Sequence, residues 1–138
     1  MGIKLPESVK KLLNDKAYGH VTTFNSKGDA KVTMVWMDCE GDTPQFNTAE
    51  GRLKPKNLRA DPRIIVSLQD RNDPQAYLTL YGKATLTDAG ADANIDKLAK
   101  RFLNADKYPF RAPGEQRVLV KIDVEHIGGL ASGMKPWA

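Results

Sequence analysis

The sequence predicts a mainly β protein in which a small antiparallel barrel forms a single domain over residues 1–138. Six short segments are rich in β-branched and aromatic residues, and turn-forming residues separate most of them at hairpin spacing. Helical periodicity occurs only near the ends of the chain and at one crossover between strands. A chain of this length suits one domain with one hydrophobic core. Together these observations favour a barrel with a few peripheral helices.

The chain begins with a predicted helix over residues 6–15. Pro6 suits the first position of a helix, where its missing N–H group is not needed. Val9, Leu12 and Leu13 fall on one face of this helix. We expect that face to pack across one end of the barrel.

Three strands follow, over residues 18–25, 30–39 and 45–49. The turn at residues 26–29 joins the first two strands, because its glycine can adopt a positive φ angle. Residues 40–44 form a second turn that leads into the third strand. This alternation of strand and tight turn is typical of antiparallel hairpins.

A short basic segment follows the third strand, and a helix is predicted over residues 54–60. Pro55 is tolerated early in that helix, and Asp61-Pro62 ends it. The segment carries four cations, Arg52, Lys54, Lys56 and Arg59. The start of a helix offers free N–H groups and a positive dipole end, while Arg and Lys match phosphate oxygens. The segment therefore predicts a phosphate-binding site, with a solvated surface as the alternative.

The second half of the chain supplies two further strands and a helix before the last strand. The apolar run at 63–69 predicts a strand that is buried on both faces. A long strand is predicted over 75–87, where Gly82 indicates a bulge or a bend. Asp88 is a plausible N-cap for a helix over 89–104.

Residues 106–116 contain two prolines and a glycine and are predicted to form a loop. Residues 117–127 alternate between apolar and polar side chains and form the last predicted strand. Residues 128–138 are expected to be a glycine-rich tail.

Composition narrows the classes of function. The formal net charge of +4 favours an anionic partner, but it does not choose among a phosphorylated cofactor, an acidic substrate and nucleic acid. Membrane-spanning apolar runs and secretion signals are lacking, so we expect a cytoplasmic protein without a membrane partner. The single cysteine, Cys39, is expected to be inert, and two histidines make a metal site unexpected. No hydrolase triad spacing is present, so a nucleophilic hydrolase is not expected.

The order of elements and the segment from Arg52 to Pro62, Arg-Leu-Lys-Pro-Lys-Asn-Leu-Arg-Ala-Asp-Pro, resemble the split-barrel flavin-binding superfamily that includes pyridoxamine 5′-phosphate oxidase. The resemblance covers nearly the whole chain. The segment from Gly129 to Lys135 is similar to one actinobacterial branch, whose members use the deazaflavin coenzyme F420 instead of FMN. The resemblance implies a six-stranded antiparallel split barrel of the FMN-binding type, in a homodimer with sites at the interface.

The resemblance also implies roles for individual residues. Arg52 and Lys54 occupy the positions that grip the cofactor phosphate, and Lys56 and Asn57 are weaker candidates. Asn57 can alternatively tie the segment internally. The residues expected beside the cofactor ring or chain lie on the second and third strands: Thr33, Met34, Val35, Trp36, Thr48 and Ala49. Trp36 can alternatively belong to the core or to a dimer interface.

The second strand favours F420 over FMN. In the vitamin B6 oxidases this strand carries an Arg and a Lys that help to bind the FMN phosphate. Here Thr33 and Asp38 fall at the corresponding positions. Coenzyme F420 carries a phosphodiester and a glutamate tail, so it is more anionic than FMN. The basic segment, together with the lysines of the first helix, Lys10, Lys11 and Lys16, is a candidate track for that tail.

The predicted function is an F420-dependent reductase that transfers a hydride to an electron-poor small molecule such as an enone. In hydride transfer the cofactor carries the chemistry, and the protein binds, orients and excludes water, so we predict no catalytic side chain. Candidates for the substrate pocket are Gln75 and Tyr77, with Tyr81 on the same strand, and Met134 and Lys135 of the tail, which would close over the partner's site. An FMN oxidoreductase and a non-catalytic F420 carrier remain alternatives. A barrel that binds single-stranded nucleic acid is disfavoured, because the aromatic residues are dispersed along the sequence.

Overall fold

The computed structural model describes residues 2–138. Six strands form a closed barrel: β1 Ala17–Phe24, β2 Ala30–Glu40, β3 Thr43–Ala49, β4 Arg63–Asp70, β5 Asp73–Thr87 and β6 Arg117–Leu130. Their order around the barrel is β1-β2-β3-β6-β5-β4, and every pair is antiparallel. Three helices lie outside it: α1 Glu7–Leu13, α2 Leu53–Ala60 and α3 Ala91–Leu103. The predicted six-stranded antiparallel barrel is confirmed.

The interior of the barrel is filled by the inward-facing side chains of alternate strand positions. The most deeply buried include Val21, Met37, Phe46, Leu80 and Val120. Because side chains alternate between the two sides of a strand, the closed sheet needs only one apolar side per strand.

Helix α1 packs its apolar face onto this core, as its periodicity predicts. Val9 and Leu13 are fully buried there. The side chain of Asn14, just after the helix, donates from Nδ2 to the Cys39 carbonyl at 3.2 Å and accepts from the Cys39 N–H at 2.9 Å. These two bonds fix the end of α1 to the end of β2.

Strand β4 departs from its predicted burial. Ile64, Val66 and Leu68 are buried, whereas Ser67 and Gln69 are exposed. The prediction of burial on both faces is wrong, because none of the helices described within residues 2–138 covers the outer side of this strand. The apolar run places Ile65, which is half-buried, on that outer side.

The bulge predicted at Gly82 is present. Tyr81 pairs with His126, but Gly82 pairs with Val124, so Glu125 is the extra residue and belongs to β6. A side chain on Gly82 would overlap the Asp123 carbonyl, which explains the glycine. Strand β6 then runs on to Leu130 opposite Tyr77, so part of the expected tail is strand.

The neighbouring strands β2, β1, β4 and β5 carry several apolar residues on their outer side, with Thr22 and His20 of β1 among them. Val32 pairs with Thr22, Thr22 with Ile65, and Ile65 with Tyr81. In the next row Met34 pairs with His20. Val32, Met34 and Tyr81 are 60%, 51% and 41% exposed. We call this surface the outer face.

Helix lengths bear on membrane insertion. Among residues 2–138, no helix is both long enough and apolar enough to cross a bilayer.

Candidate functional site

A cavity of about 170 Å³ lies between β2, β3, the start of α2, α3 and the segment that leads into β6. Helix α3 forms one wall, because Ile95 and Leu98 of its apolar side reach the cavity. The remaining lining residues are Met34, Val35, Trp36, Asn47, Thr48, Arg52, Lys54, Tyr108, Phe110 and Arg117. Residues from six parts of the chain therefore meet at one place.

Six of the residues predicted to bind a cofactor line this cavity: Met34, Val35, Trp36, Thr48, Arg52 and Lys54. Thr33 adjoins it, since its hydroxyl oxygen accepts a hydrogen bond from Lys54 Nζ at 3.0 Å. Three other predicted residues do not line the cavity. Ala49 is buried, Lys56 is exposed on α2, and buried Asn57 donates from Nδ2 to Thr23 Oγ1 at 3.1 Å. That bond is the internal tie expected as the alternative for Asn57.

Lys54 is a partly buried cation without an acidic partner. Among residues 2–138, no carboxylate lies within ion-pair distance of its Nζ. The Nζ donates its hydrogen bond to the uncharged hydroxyl of Thr33. Burial lowers the pKa of Lys54, and the nearby positive charge of Arg52 lowers it further. A charge held in this way is stabilised by an anion that enters the cavity.

The start of α2 adds backbone donors at the same corner. Gly51 has a φ of +87°, which a glycine adopts without strain, and turns the chain out of β3. Arg52 is the N-cap residue of this eight-residue helix and makes no side-chain cap. Pro55 has no N–H group, so Leu53 and Lys54 carry the free N–H groups of the first turn. Together with the helix dipole they favour negative charge here.

Arg117 is a third cation in the cavity lining, and no sequence pattern predicted it there. Its guanidinium is buried, donates from Nε to Asn47 Oδ1 at 2.9 Å and pairs with Glu115 Oε2 at 3.1 Å. Glu115 also receives Arg52 Nη2, at 3.5 Å. Arg52 and Arg117 therefore share one carboxylate, and with Lys54 nearby this part of the cavity keeps an excess of positive charge.

Aromatic side chains that are far apart in the sequence form one wall. Trp36 stacks on Phe102 with ring centres 5.0 Å apart, and Tyr108 meets Trp36 edge-on at 6.3 Å. Phe110 packs against Tyr108 at 5.8 Å, and the Arg117 guanidinium lies 5.0 Å from the Tyr108 ring. The aromatic residues are dispersed along the sequence, but the fold brings several of them together.

The segment before β6 brings Tyr108 and Phe110 to the cavity. Asp96 on α3 accepts the Tyr108 backbone N–H at 2.9 Å and lies 3.6 Å from Arg111. Arg111 also pairs with Asp92 at 2.7 Å. The segment was predicted as a loop, and nothing periodic in its sequence indicates that its aromatics point inward.

Thr48 has an unfulfilled hydrogen-bonding group. Its side chain is fully buried, and its Oγ1 has no partner among residues 2–138. Buried hydroxyls are normally paired, so an atom of a ligand or a water molecule is expected beside it.

The predicted substrate residues lie elsewhere in the single chain. Tyr77 is exposed on β5 and lines a separate groove with Tyr18 and His20. Met134 is 78% exposed, and Gln75 and Lys135 are also exposed. None of the four lines the cavity. Trp137 anchors the tail to this strand by donating from Nε1 to the Tyr77 carbonyl at 2.9 Å.

Two further residues have structural surroundings. Asp38 is fully buried away from the cavity and accepts hydrogen bonds from Gln45 Nε2 at 3.1 Å and from Lys97 Nζ at 3.3 Å. Burial, and then the charge of Asp38, raises the pKa of Cys39 to about 11. At neutral pH this thiol stays protonated, which agrees with the prediction that it is inert.

Comparison with known proteins places the fold. The sequence model of the family described as pyridoxamine 5′-phosphate oxidase matches residues 5–131. A solved structure named F420 reductase is 25% identical to this chain, with a TM-score of 0.76, and the match covers 90% of this chain and 98% of that one.

Two more distant structures share the fold. HupZ from Group A Streptococcus is 22% identical, with a TM-score of 0.63, and the match covers 92% of this chain and 94% of that one. General Stress Protein 26 from Bacillus anthracis is 18% identical, with a TM-score of 0.65 and coverage of 89% and 91%.

The lowered pKa of Lys54 predicts a pH dependence of stability. Its folded pKa lies below the unfolded value, so the protonated side chain opposes folding, and that opposition fades as pH rises toward 10.5. We expect Lys54→Met to gain stability relative to wild type at neutral pH, and this relative gain to shrink by pH 10.5. Urea unfolding at several pH values measures it. Lys27→Met, in an exposed turn, is the matched control and should show no such trend. A constant difference for Lys54→Met would contradict the prediction.

Proposed function

We propose that this chain, which belongs to the pyridoxamine 5′-phosphate oxidase family, is an oxidoreductase that uses coenzyme F420 to reduce an electron-poor small molecule such as an enone. The single observation that carries the proposal is Lys54. It is a partly desolvated cation beside Arg52, at the start of a helix, without a carboxylate partner. A cofactor phosphate at this corner would neutralise it.

The residues around this corner fit a phosphodiester in kind and number. Lys54 supplies a compact charge and Arg52 a planar fork of donors. The N–H groups of Leu53 and Lys54 add uncharged donors. On the side of β3, the unpaired hydroxyl of Thr48 offers a hydrogen bond to a polar atom of the bound group.

Two observations support F420 over FMN. Neither residue at the positions where a vitamin B6 oxidase has cations adds positive charge, since Thr33 is neutral and Asp38 is buried outside the cavity. The solved structure at 25% identity is itself named an F420 reductase. Fewer cations are free to bind the glutamate tail than expected. Lys10 pairs with Asp42 at 3.1 Å, and Arg59 pairs with Glu50 at 2.8 Å. Lys56 remains exposed on α2 and is kept as a candidate for the tail.

The chemistry needs little from the protein beyond this arrangement. Reduced F420, when bound, supplies a hydride to the electron-poor carbon, and a proton from water completes the reduction. The aromatic wall of Trp36, Tyr108 and Phe110 offers an apolar surface against which the cofactor ring or the substrate would pack. Arg52 and Lys54 fix the position of the cofactor, which is the usual role of the protein in such reactions.

We also propose that the chain forms a homodimer through the outer face, with each cavity at the interface. The face presents Val32, Ile65 and Tyr81 in one cross-strand row. Several exposed apolar side chains on one side of a sheet favour an interaction site. Met34 belongs both to the outer face and to the lining of the cavity, so a partner on this face would complete the cavity wall. The exposed tail with Met134 and Lys135 would then approach the partner's cavity.

The cofactor assignment is tested by titrating the protein with F420 and with FMN while following ring fluorescence. We expect tighter binding of F420, and a loss of affinity of at least about a hundredfold in the double variant Arg52→Ala with Lys54→Ala, because two charge-assisted hydrogen bonds disappear. Lys27→Ala is the control and should bind as wild type.

Each other result has a defined meaning. Tighter binding of FMN refutes the F420 assignment and favours an FMN oxidoreductase. Unchanged affinity in the double variant means that the phosphate binds elsewhere. Tight F420 binding without turnover of 2-cyclohexen-1-one and other enones identifies a carrier.

The homodimer predicts a sedimentation equilibrium mass of twice that of one chain. Val32→Glu places a charge at the most exposed of the apolar residues named for the outer face and should shift the protein to monomer with an unchanged circular dichroism spectrum. Ala93→Glu, exposed on α3 outside that face, is the matched control and should remain dimeric. A monomeric wild type, or a Val32→Glu variant that stays dimeric, would exclude this interface.

A further inference from the structure

A chain of buried hydrogen bonds runs beneath α3 and ends at the cavity. Asn94 Nδ2 donates to Asp38 Oδ1 at 3.4 Å, and Asn47 Nδ2 donates to Asn94 Oδ1 at 3.0 Å. Arg117 Nε then donates to Asn47 Oδ1 at 2.9 Å. All four side chains are at least nine-tenths buried. This series of hydrogen bonds therefore connects its anionic end, Asp38, to its cationic end, Arg117.

The direction of every bond in this chain is fixed. Asn47 Nδ2 also donates to the Ala91 carbonyl at 2.7 Å, so its amide nitrogen must face α3 and its oxygen must face Arg117. Asn94 is oriented in the same sense, because its nitrogen faces the carboxylate of Asp38. Arg117 is thus held in one orientation by groups that cannot rotate without losing buried partners.

Arg117 lines the cavity, and one of its terminal nitrogens is not used within residues 2–138. Its Nε bonds Asn47 and its Nη1 bonds Glu115, whereas Nη2 has no hydrogen-bond partner among residues 2–138. Glu115 is shared with Arg52, so it does not fully neutralise Arg117. A buried guanidinium is costly when its charge is incompletely paired. An anion at Nη2 would complete the set.

The surroundings of Arg117 restrict the chemistry of that anion. Its guanidinium lies 5.0 Å from the Tyr108 ring, and Tyr108 packs edge-on against Trp36. Arg117 lies at the start of β6, whereas Lys54, which anchors the proposed phosphate site, lies on α2. The aromatic faces suit a flat conjugated ligand, and the guanidinium suits a carboxylate.

We propose that Arg117 binds a carboxylate of the substrate, so that the enzyme prefers planar conjugated acids over neutral molecules of the same shape. This inference rests on the proposed function for the identification of the ligand as the substrate. The carboxylate site itself depends only on the geometry around Arg117.

The test uses cofactor-free protein and two probes, trans-cinnamate and its methyl ester, in titration calorimetry at neutral pH. The probes share their planar framework and differ in charge. We expect wild type to bind the acid at least about tenfold more tightly than the ester, as one charge-assisted hydrogen bond from Nη2 implies. Arg117→Gln should remove this preference, leaving the two affinities within about twofold of each other.

A second variant provides a change in the opposite direction and avoids the risk that a change at buried Arg117 disturbs folding. Glu115→Gln removes the carboxylate that competes for Arg117 and should tighten cinnamate binding severalfold, with the ester unchanged. Equal binding of acid and ester by wild type would overturn the proposal. A preference for the acid that survives in Arg117→Gln would also overturn it, and would assign the acid to Arg52 or Lys54.

Titrations of the same samples with F420 separate this inference from the proposed function. Arg117→Gln should bind F420 as wild type does. A loss as large as in the double variant at Arg52 and Lys54 would place Arg117 in the cofactor site and overturn the substrate role. If wild type binds no F420 but shows the predicted acid preference, the cofactor assignment fails and the carboxylate site stands.

Discussion

Buried polar groups must have partners, and this constraint organises the molecule around its cavity. Asp38, Asn94, Asn47 and Arg117 satisfy one another beneath α3, and by doing so they fix that helix against β2 and β3. Among residues 2–138, the charge of Lys54 has no carboxylate partner and the hydroxyl of Thr48 has no hydrogen-bond partner, and both residues line the cavity. A ligand in the cavity would satisfy both groups, whereas the unpaired buried atoms of Ser8, Gln45 and Arg101 belong to residues outside it.

The features that the sequence predicts well are local ones. Strands, turns and the bulge at Gly82 follow from local periodicity and from backbone conformation, which neighbouring residues determine. The basic segment at α2 is also local, since its cations, helix start and proline lie within a few residues of one another. Lys54 and Arg52 could therefore be proposed for an anion site before the fold was known.

Other features depend on contacts between distant segments. The outer side of β4 stays uncovered because none of the described helices lies over it, and the apolar run gives no indication of this. Tyr108 joins Trp36 only because Asp96 holds the backbone of its segment, and Arg117 is buried because Asn47 and Glu115 meet it there. No short-range pattern encodes these meetings, which explains why the aromatic wall and the third cation escaped prediction.

The central claim is that the phosphate of a redox cofactor neutralises Lys54 and Arg52 at the start of α2. The most direct measurement is a crystal structure of the protein with F420, in which the position of the phosphodiester phosphorus is determined. We expect phosphate oxygens within hydrogen-bonding distance of Lys54 Nζ, the Arg52 guanidinium and the first N–H groups of α2. A phosphate bound away from this corner, with Lys54 Nζ still bonded only to Thr33, would contradict it.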